Sequence, residues 1–414
     1  MSDLQGRKVA LVLSGGGANG AYEIGVLKAL FSGKSMATRG ELLDPDIFLG
    51  TSIGSFNASF LASHWDDLGP AALTSLERVW LETLSANAAG VNGAYRIRLD
   101  PTYYLNPSSY MPNPLRPFLQ FAGDGAVIGW DAIQRLVYLV SSRKEPLRER
   151  LTDLINFPTF ISIDTWAQTI RQNIRFEAIR RTGKQLSVVA TNWTTGSVRY
   201  FRNHDMTENL GVQAILASSA IPGVFPPAFV GAEPYVDGGV LMNTPLSEAI
   251  RLGADVIHVI YLDPDVSSIP NSALGSSIAT NYRLQQISWA QLVNDDIEDA
   301  AMINQGLRIL RRVEAGEQVA DPELESLARG MSKIVPRLKR YLTYKPLTIH
   351  RYHPCEELSE GGALGLLNLN RDHLENLIDK GFTDASLHDC LEAKTQCVLP
   401  EDPHAPFAMI PTPA

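Results

Sequence analysis

A chain of 414 residues allows one large domain with insertions, or two to three ordinary ones. With 45% hydrophobic and 20% charged residues, it has the composition of a globular protein with ample material for a core. Its formal net charge of −9 lacks the basic footprint of a nucleic-acid binder, and it restricts attraction to an anionic membrane to local patches.

In chain order, residues 1–8 are polar and charged, with no signal-peptide pattern. KVALVLS (8–14) is an apolar, β-branched run of the kind that forms a buried parallel strand. A glycine loop follows, Gly15-Gly16-Gly17-Ala18-Asn19-Gly20, and then a helix over 21–31 with Tyr22, Val26, Ala29 and Leu30 on one face. A short strand, 46–49, runs into Gly50-Thr51-Ser52-Ile53-Gly54 and a helix of small residues, SFNASFLAS. This alternation predicts an α/β layered fold with a mostly parallel central sheet.

Residues 66–185 differ in character. An aromatic, proline-rich piece (95–121) precedes helical segments with charged faces, which predicts an insertion that either caps a pocket or packs on its own satellite core. Arg171, Arg175, Arg180, Arg181 and Lys184 make a basic cluster that reads as a solvated helix face, with lipid headgroups as the rival partner.

LSVVATN (186–192) and SVRYF (197–201) predict a hairpin. The long uncharged stretch 211–232 is broken by Pro222, Gly223, Pro226 and Pro227, so it reads as a short buried helix and an irregular loop, not a membrane span. After Asp237-Gly238-Gly239, Asn243 or Thr244 is placed to cap a helix, with Pro245 in its first turn and Gly253 at its end. A strand over 255–262, helices over 278–313 and 322–343, and a final strand and helix (TIHRYHP, RDHLENLIDKGFTDA) complete the chain.

The three cysteines, Cys355, Cys390 and Cys397, are sparse and contain no C-x-x-C pair, so they read as free thiols in a reducing compartment. His350 and His353 have the spacing of a metal pair, but no third ligand is evident from the sequence, and no metal is expected.

Three features carry chemistry. In Gly50-x-Ser52-x-Gly54 the glycines permit a tight strand-to-helix turn that lifts a serine hydroxyl clear of the sheet, at a helix N-terminus that favours developing negative charge. The loop at 15–20 fits G-x-G-x-x-G as well as a cradle of bare amides. In a dinucleotide-binding unit an acid should end the second strand, about 20 residues on. Here Asp44 and Asp46 precede that strand, and the strand ends in the serine turn. Position therefore favours an oxyanion hole of Gly15, Gly16 and Gly17 serving Ser52. Asp237, held in a glycine turn after an apolar run, is the conspicuous carboxylate, whereas no histidine sits in a comparable loop.

GGGANGAYEIGVLKAL, GTSIGS and VDGG, in this order, resemble the patatin-like phospholipase family, whose signatures are G-G-G-x-[RK]-G, G-x-S-x-G and D-G-[GA]. ASSAIPGVFPP and VVATNWTTGSVRYF resemble stretches ahead of that family's aspartate. Asn19 stands where the family commonly has Arg or Lys. The resemblance implies a three-layer α/β/α sandwich with a catalytic domain over 7–262, the insertion at 66–185 and a mainly helical extension over 263–414. It also implies a Ser–Asp dyad without histidine: Ser52 as nucleophile and Asp237 as general base, supported by Gly20, Gly50, Gly54, Gly238 and Gly239. A carboxylic ester hydrolase acting on lipid or fatty-acyl esters follows, of phospholipase A or lysophospholipase type, with no cofactor. It is expected to be cytoplasmic, with peripheral membrane contact open. The rival is a non-catalytic lipid-binding or scaffold protein of the same fold.

Overall fold

Five parallel strands, each built from the apolar runs of the sequence, set the frame. In the computed structural model, which describes residues 6–38, 43–87, 90–111, 113–141, 157–263, 277–314, 345–358, 362–392 and 397–399, they are β1 (Val9–Leu13), β2 (Ile47–Thr51), β5 (Gln185–Asn192), β9 (Val256–Ile260) and β10 (Thr348–Tyr352). Two strands, β3 (Arg96–Ile97) and β4 (Ile161–Ser162), pair separately inside the insertion. The main sheet runs β10-β9-β1-β2-β5-β8-β7, with β6 (Ser197–Arg202) also paired to β5 as the expected hairpin. β7 (Ala228–Val230) and β8 (Glu233–Asp237) run antiparallel.

Strand alternation divides the core between the two faces of the sheet. Val9, Leu11 and Leu13 of β1 point into one cluster with α1 (Gly20–Phe31) and α2 (Ile53–Leu68), whereas Ala10 and Val12 point into another. The fold is α/β. Wholly buried central strands explain why β1, β2 and β9 read as continuous apolar runs instead of alternating ones.

Further helices are α3 (Leu115–Ser141) and α4 (Asp164–Asn173) in the insertion, α5 (Glu208–Ser218), α6 (Leu246–Arg251), α7 (Ser277–Glu314) and α8 (Arg371–Ser386). Helix α8 lies so close on α1 that a methyl group on Gly25 or Gly381 would overlap the other helix's backbone. α6 and α7 serve the opposite face through Leu246, Ala249, Val293, Ile297 and Ala300. The helix expected over 322–343 lies outside the described residues.

Among the basic residues of the insertion, Arg175 pairs with Asp67, Arg181 with Glu177 and Lys184 with Asp44, as a solvated face would. Among the described residues, no helix is long and apolar enough to cross a membrane.

Candidate active site

The topology brings Ser52 and Asp237 together by a simple device. β2 runs parallel to β5 and its last residue, Thr51, pairs with Val189. β8 runs antiparallel to β5 and its last residue, Asp237, pairs with the next position, Ala190. Because β6 occupies the other edge of β5, the two strands run at each other along one edge and end one register step apart. Residue 52 leaves one strand tip where residue 237 leaves the other.

Ser52 takes φ 53° and ψ −126°, a region that L-residues rarely adopt, at the N-cap of α2. Such a turn is possible only because its flanks are bare. A methyl on Gly54 would sit 2.5 Å from Leu13 O, and one on Gly50 would strike the Gly54 backbone. The Ser52 N–H donates to Ser218 Oγ at 2.9 Å, and Ser55 Oγ donates to Ser52 O at 2.6 Å, which holds the strained turn from both sides.

Asp237 is buried, with Oδ1 accepting the Gly239 N–H at 2.7 Å. The DGG glycines let this turn close: a methyl on Gly238 would meet the carbonyl of Val189 in β5. Burial, opposed by the nearby Ser52 hydroxyl and the Gly239 amide, leaves the carboxyl raised from its ordinary 3.8 to about 7. Oδ2 is buried with no hydrogen bond of full geometry among the described residues. A carboxylate poised near neutrality beside a serine hydroxyl is suited to take its proton.

The glycine loop stands directly beside Ser52, since a methyl on Gly15 would lie 2.8 Å from Ser52 Cβ. Its three amides are not equivalent. Gly15 N–H already donates to Asn243 Oδ1 at 3.0 Å, and Asn243 Nδ2 donates back to Gly15 O at 3.4 Å. The amides of Gly16 and Gly17 carry no such bond among the described residues. Gly17 needs its φ of +57° to turn the loop, and Gly20 opens α1 against Ile53 and Trp80.

Sequence reasoning missed Asn243. It does not cap α6, whose N-cap is Pro245 without a side-chain bond; it fastens the glycine loop instead. Ser218 was missed as well, because its partner lies 166 residues away. By contrast, Asp46 accepts the Val9 N–H at 2.9 Å at the start of the sheet, the opposite end of the strands from the glycine loop, so it is not placed to hold a ribose there.

A mostly apolar cavity, partly open to solvent, adjoins Ser52. Trp80, Leu84, Tyr95, Trp166, Phe225 and Leu366 line it, so the 66–185 insertion and the chain after β10 both contribute walls. Its apolar lining is the character of a site for an apolar ligand. Among the described residues, the side chains placed to share a metal lie elsewhere, at the far edge of the sheet.

A family model described as patatin-like phospholipase matches residues 11–250, more than half of the chain. The chain belongs to the patatin-like phospholipase family. Among solved structures it is similar to VipD from Legionella pneumophila at 16% identity and a TM-score of 0.34, a match that covers 92% of this chain and 66% of that one, just under two thirds of its length. In this patatin-like phospholipase chain Asn19, at the place of the family's cation, is buried, and its N–H closes a turn onto Gly16 O at 3.1 Å.

Because Asn243 grips both polar groups of Gly15, Asn243→Ala should leave the loop free to drift. The expected result is a kcat about 10- to 100-fold lower on a water-soluble ester, with KM within about twofold. A matching loss in KM alone would mean that the residue shapes substrate binding instead.

Proposed function

We propose that this chain is a serine acyl hydrolase that cleaves lipid ester bonds, of phospholipase A or lysophospholipase type, using Ser52 and Asp237 without a histidine. The observation that carries the reading is the meeting of β2 and β8 along β5, which sets hydroxyl and carboxylate side by side next to unengaged amides and an apolar cavity. The frame proposed is the three-layer α/β/α sandwich, with residues 7–262 catalytic, 66–185 inserted and 263–414 an extension.

In the acylation half, Ser52 Oγ attacks the ester carbonyl carbon as its proton passes to Asp237. The carbonyl electrons move to oxygen, where the Gly16 and Gly17 amides stabilise the negative charge. Collapse expels the alcohol, which takes the proton from Asp237. A water molecule then gives a proton to Asp237 and attacks the acyl carbon, and Ser52 leaves with that proton as the fatty acid is released. The apolar cavity takes the acyl chain.

Access to lipid is assigned to α3. On this helix the inward positions are Pro117, Gln120, Asp124, Ile128, Asp131 and Arg135, while Phe118, Leu119, Trp130, Ile133 and Leu136 are exposed. The polarity is inverted relative to an ordinary surface helix, whose apolar face turns inward. Asp124 fastens the polar face to the rest of the insertion, pairing with Arg96 at 2.6 and 2.8 Å and accepting from Tyr104 at 2.8 Å. A helix of 27 residues, about 40 Å long, thus presents a large apolar stripe outward, the arrangement of an interfacial helix. Phe118→Ser combined with Trp130→Ser should weaken co-sedimentation with phosphatidylcholine vesicles at least tenfold, about what two large apolar side chains contribute, while turnover of a water-soluble ester stays unchanged. Unaltered vesicle binding would remove α3 from the account.

The activity itself is tested by mass spectrometry of products from mixed phospholipids, lysophospholipids and neutral glycerides. Release of free fatty acid is expected. A folded protein that binds these lipids and releases none is the non-catalytic lipid-binding protein instead.

A further inference from the structure

The far edge of the sheet holds a second cluster of reactive side chains. β10 is three strand spacings from β2, about 14 Å, and its central residue, His350, pairs in register with His258. Around it stand His388 and Cys390, just beyond the end of α8, and Cys397 on the following segment. One ligand atom from each of these four residues lies within 4.8 Å of all the others. His350 Nδ1 is 3.2 Å from Cys390 Sγ, and His388 Nε2 is 3.3 Å from Cys390 Sγ and 3.4 Å from Cys397 Sγ.

We propose that His350, His388, Cys390 and Cys397 form a structural zinc site. A tetrahedral zinc ion with ordinary zinc–sulfur and zinc–nitrogen bonds sets its nitrogen and sulfur ligands about 3.5 Å apart. The observed separations of 3.2–3.4 Å need only a slight expansion to admit the ion. Two thiolates and two imidazoles select zinc over the hard cations, which prefer oxygen. Four protein ligands close the coordination shell, so the ion has a structural role and leaves no position for substrate or water.

The surroundings are those of a built site. His350 and His388 are buried. Their rings are held by neighbours: His258 stacks on His350 with centroids 4.8 Å apart, and Tyr352 lies against His388 at 4.6 Å. Tyr352 Oη and His258 Nδ1 are 3.2 Å apart, which links these two supports. Such second contacts fix the orientation of metal-binding imidazoles. Cys397 is placed by its neighbour, since Val398 and Ile349 exchange backbone hydrogen bonds at 2.8 and 2.9 Å.

Binding replaces two S–H bonds with two zinc–sulfur bonds and releases two protons, with no change of oxidation state. The ion clasps the end of α8 and the segment around Cys397 to β10. Since α8 packs on α1, whose N-terminus continues from the glycine loop, the clasp also braces the loop's support. Spacing alone pairs His350 with His353, but His353 Nδ1 lies 3.2 Å from Pro354 O, and the side chains gathered around His350 come from downstream elements.

The test uses the full chain purified without chelator. Elemental analysis should find about one zinc per chain. Cys390 and Cys397 should resist alkylation until chelator is added, whereas the exposed Cys355 reacts at once. Cys397→Ala and His350→Ala should each reduce bound zinc at least tenfold, and Cys355→Ala should leave it unchanged. Should the ligand variants fail to fold, chelator-stripped wild type titrated with Co²⁺ should give the absorption of a tetrahedral thiolate site, saturating at one ion. A Cys390–Cys397 disulfide in the purified chain, zinc retained in both ligand variants, or Co²⁺ giving no thiolate absorption would each overturn the proposal.

Discussion

Replacing Ser52 with alanine should lower ester hydrolysis at least about 10⁴-fold while the protein stays folded, as loss of a covalent nucleophile does elsewhere. Among the described residues, the hydroxyls beside it are already engaged. Thr51 Oγ1 donates to Met242 O at 3.0 Å, Ser219 Oγ donates to Ile215 O at 2.8 Å, and Ser218 Oγ receives the Ser52 amide. The same position stores backbone strain, since a side chain occupies φ 53°. Ser52→Gly should therefore be inactive yet more stable than wild type by about 1–3 kcal/mol, measured by denaturant unfolding. A glycine variant no more stable than the alanine variant would show that the turn is not strained.

Asp237→Asn should reduce turnover by about 10³-fold or more at neutral pH, because the amide cannot accept the serine proton. In the wild type, the single-turnover acylation rate should rise with pH through a midpoint near 7, where half of the Asp237 carboxyl is ionised. Stability should move the opposite way. The carboxyl holds its proton more tightly in the folded state than in the unfolded chain, so its stabilising contribution is complete below pH 3.8 and is lost as pH rises to about 7. The rise from 3.8 to about 7 corresponds to roughly 4 kcal/mol at 1.36 kcal/mol per pH unit. Asp237→Asn avoids that cost, so its melting temperature should exceed that of wild type at pH 8, with the difference vanishing near pH 4. An acylation midpoint near 4, or a variant less stable than wild type at pH 8, would show that the carboxylate is not held in an unfavourable buried setting.

The elements nearest the proposed dyad were legible because their signals are local. A β-branched apolar run, bare glycines and a helix of small residues follow one another within residues 8–63, and each matches the element it forms. What escaped the sequence depends on contacts between distant segments. Asn243 has the composition of a helix cap, but a bond to Gly15, 228 residues away, wins over the nearby helix end. On α3 the charged residues suggest an outward face, and only the buried Asp124–Arg96 pair reveals that they point inward. The division of labour among Gly15, Gly16 and Gly17 is likewise invisible until Asn243 is seen to occupy one of the three amides.

The account rests on one pairing, of the residue 52 hydroxyl with the residue 237 carboxylate, and covalent trapping tests it most directly. The folded chain would be treated with a fluorophosphonate across pH 5 to 9 and mapped by peptide mass spectrometry. One adduct is predicted, on the peptide containing Ser52, at a rate that climbs through a midpoint near pH 7 and falls sharply in Asp237→Asn. An adduct on any other serine, or labelling of Ser52 that is indifferent to the loss of Asp237, would contradict it.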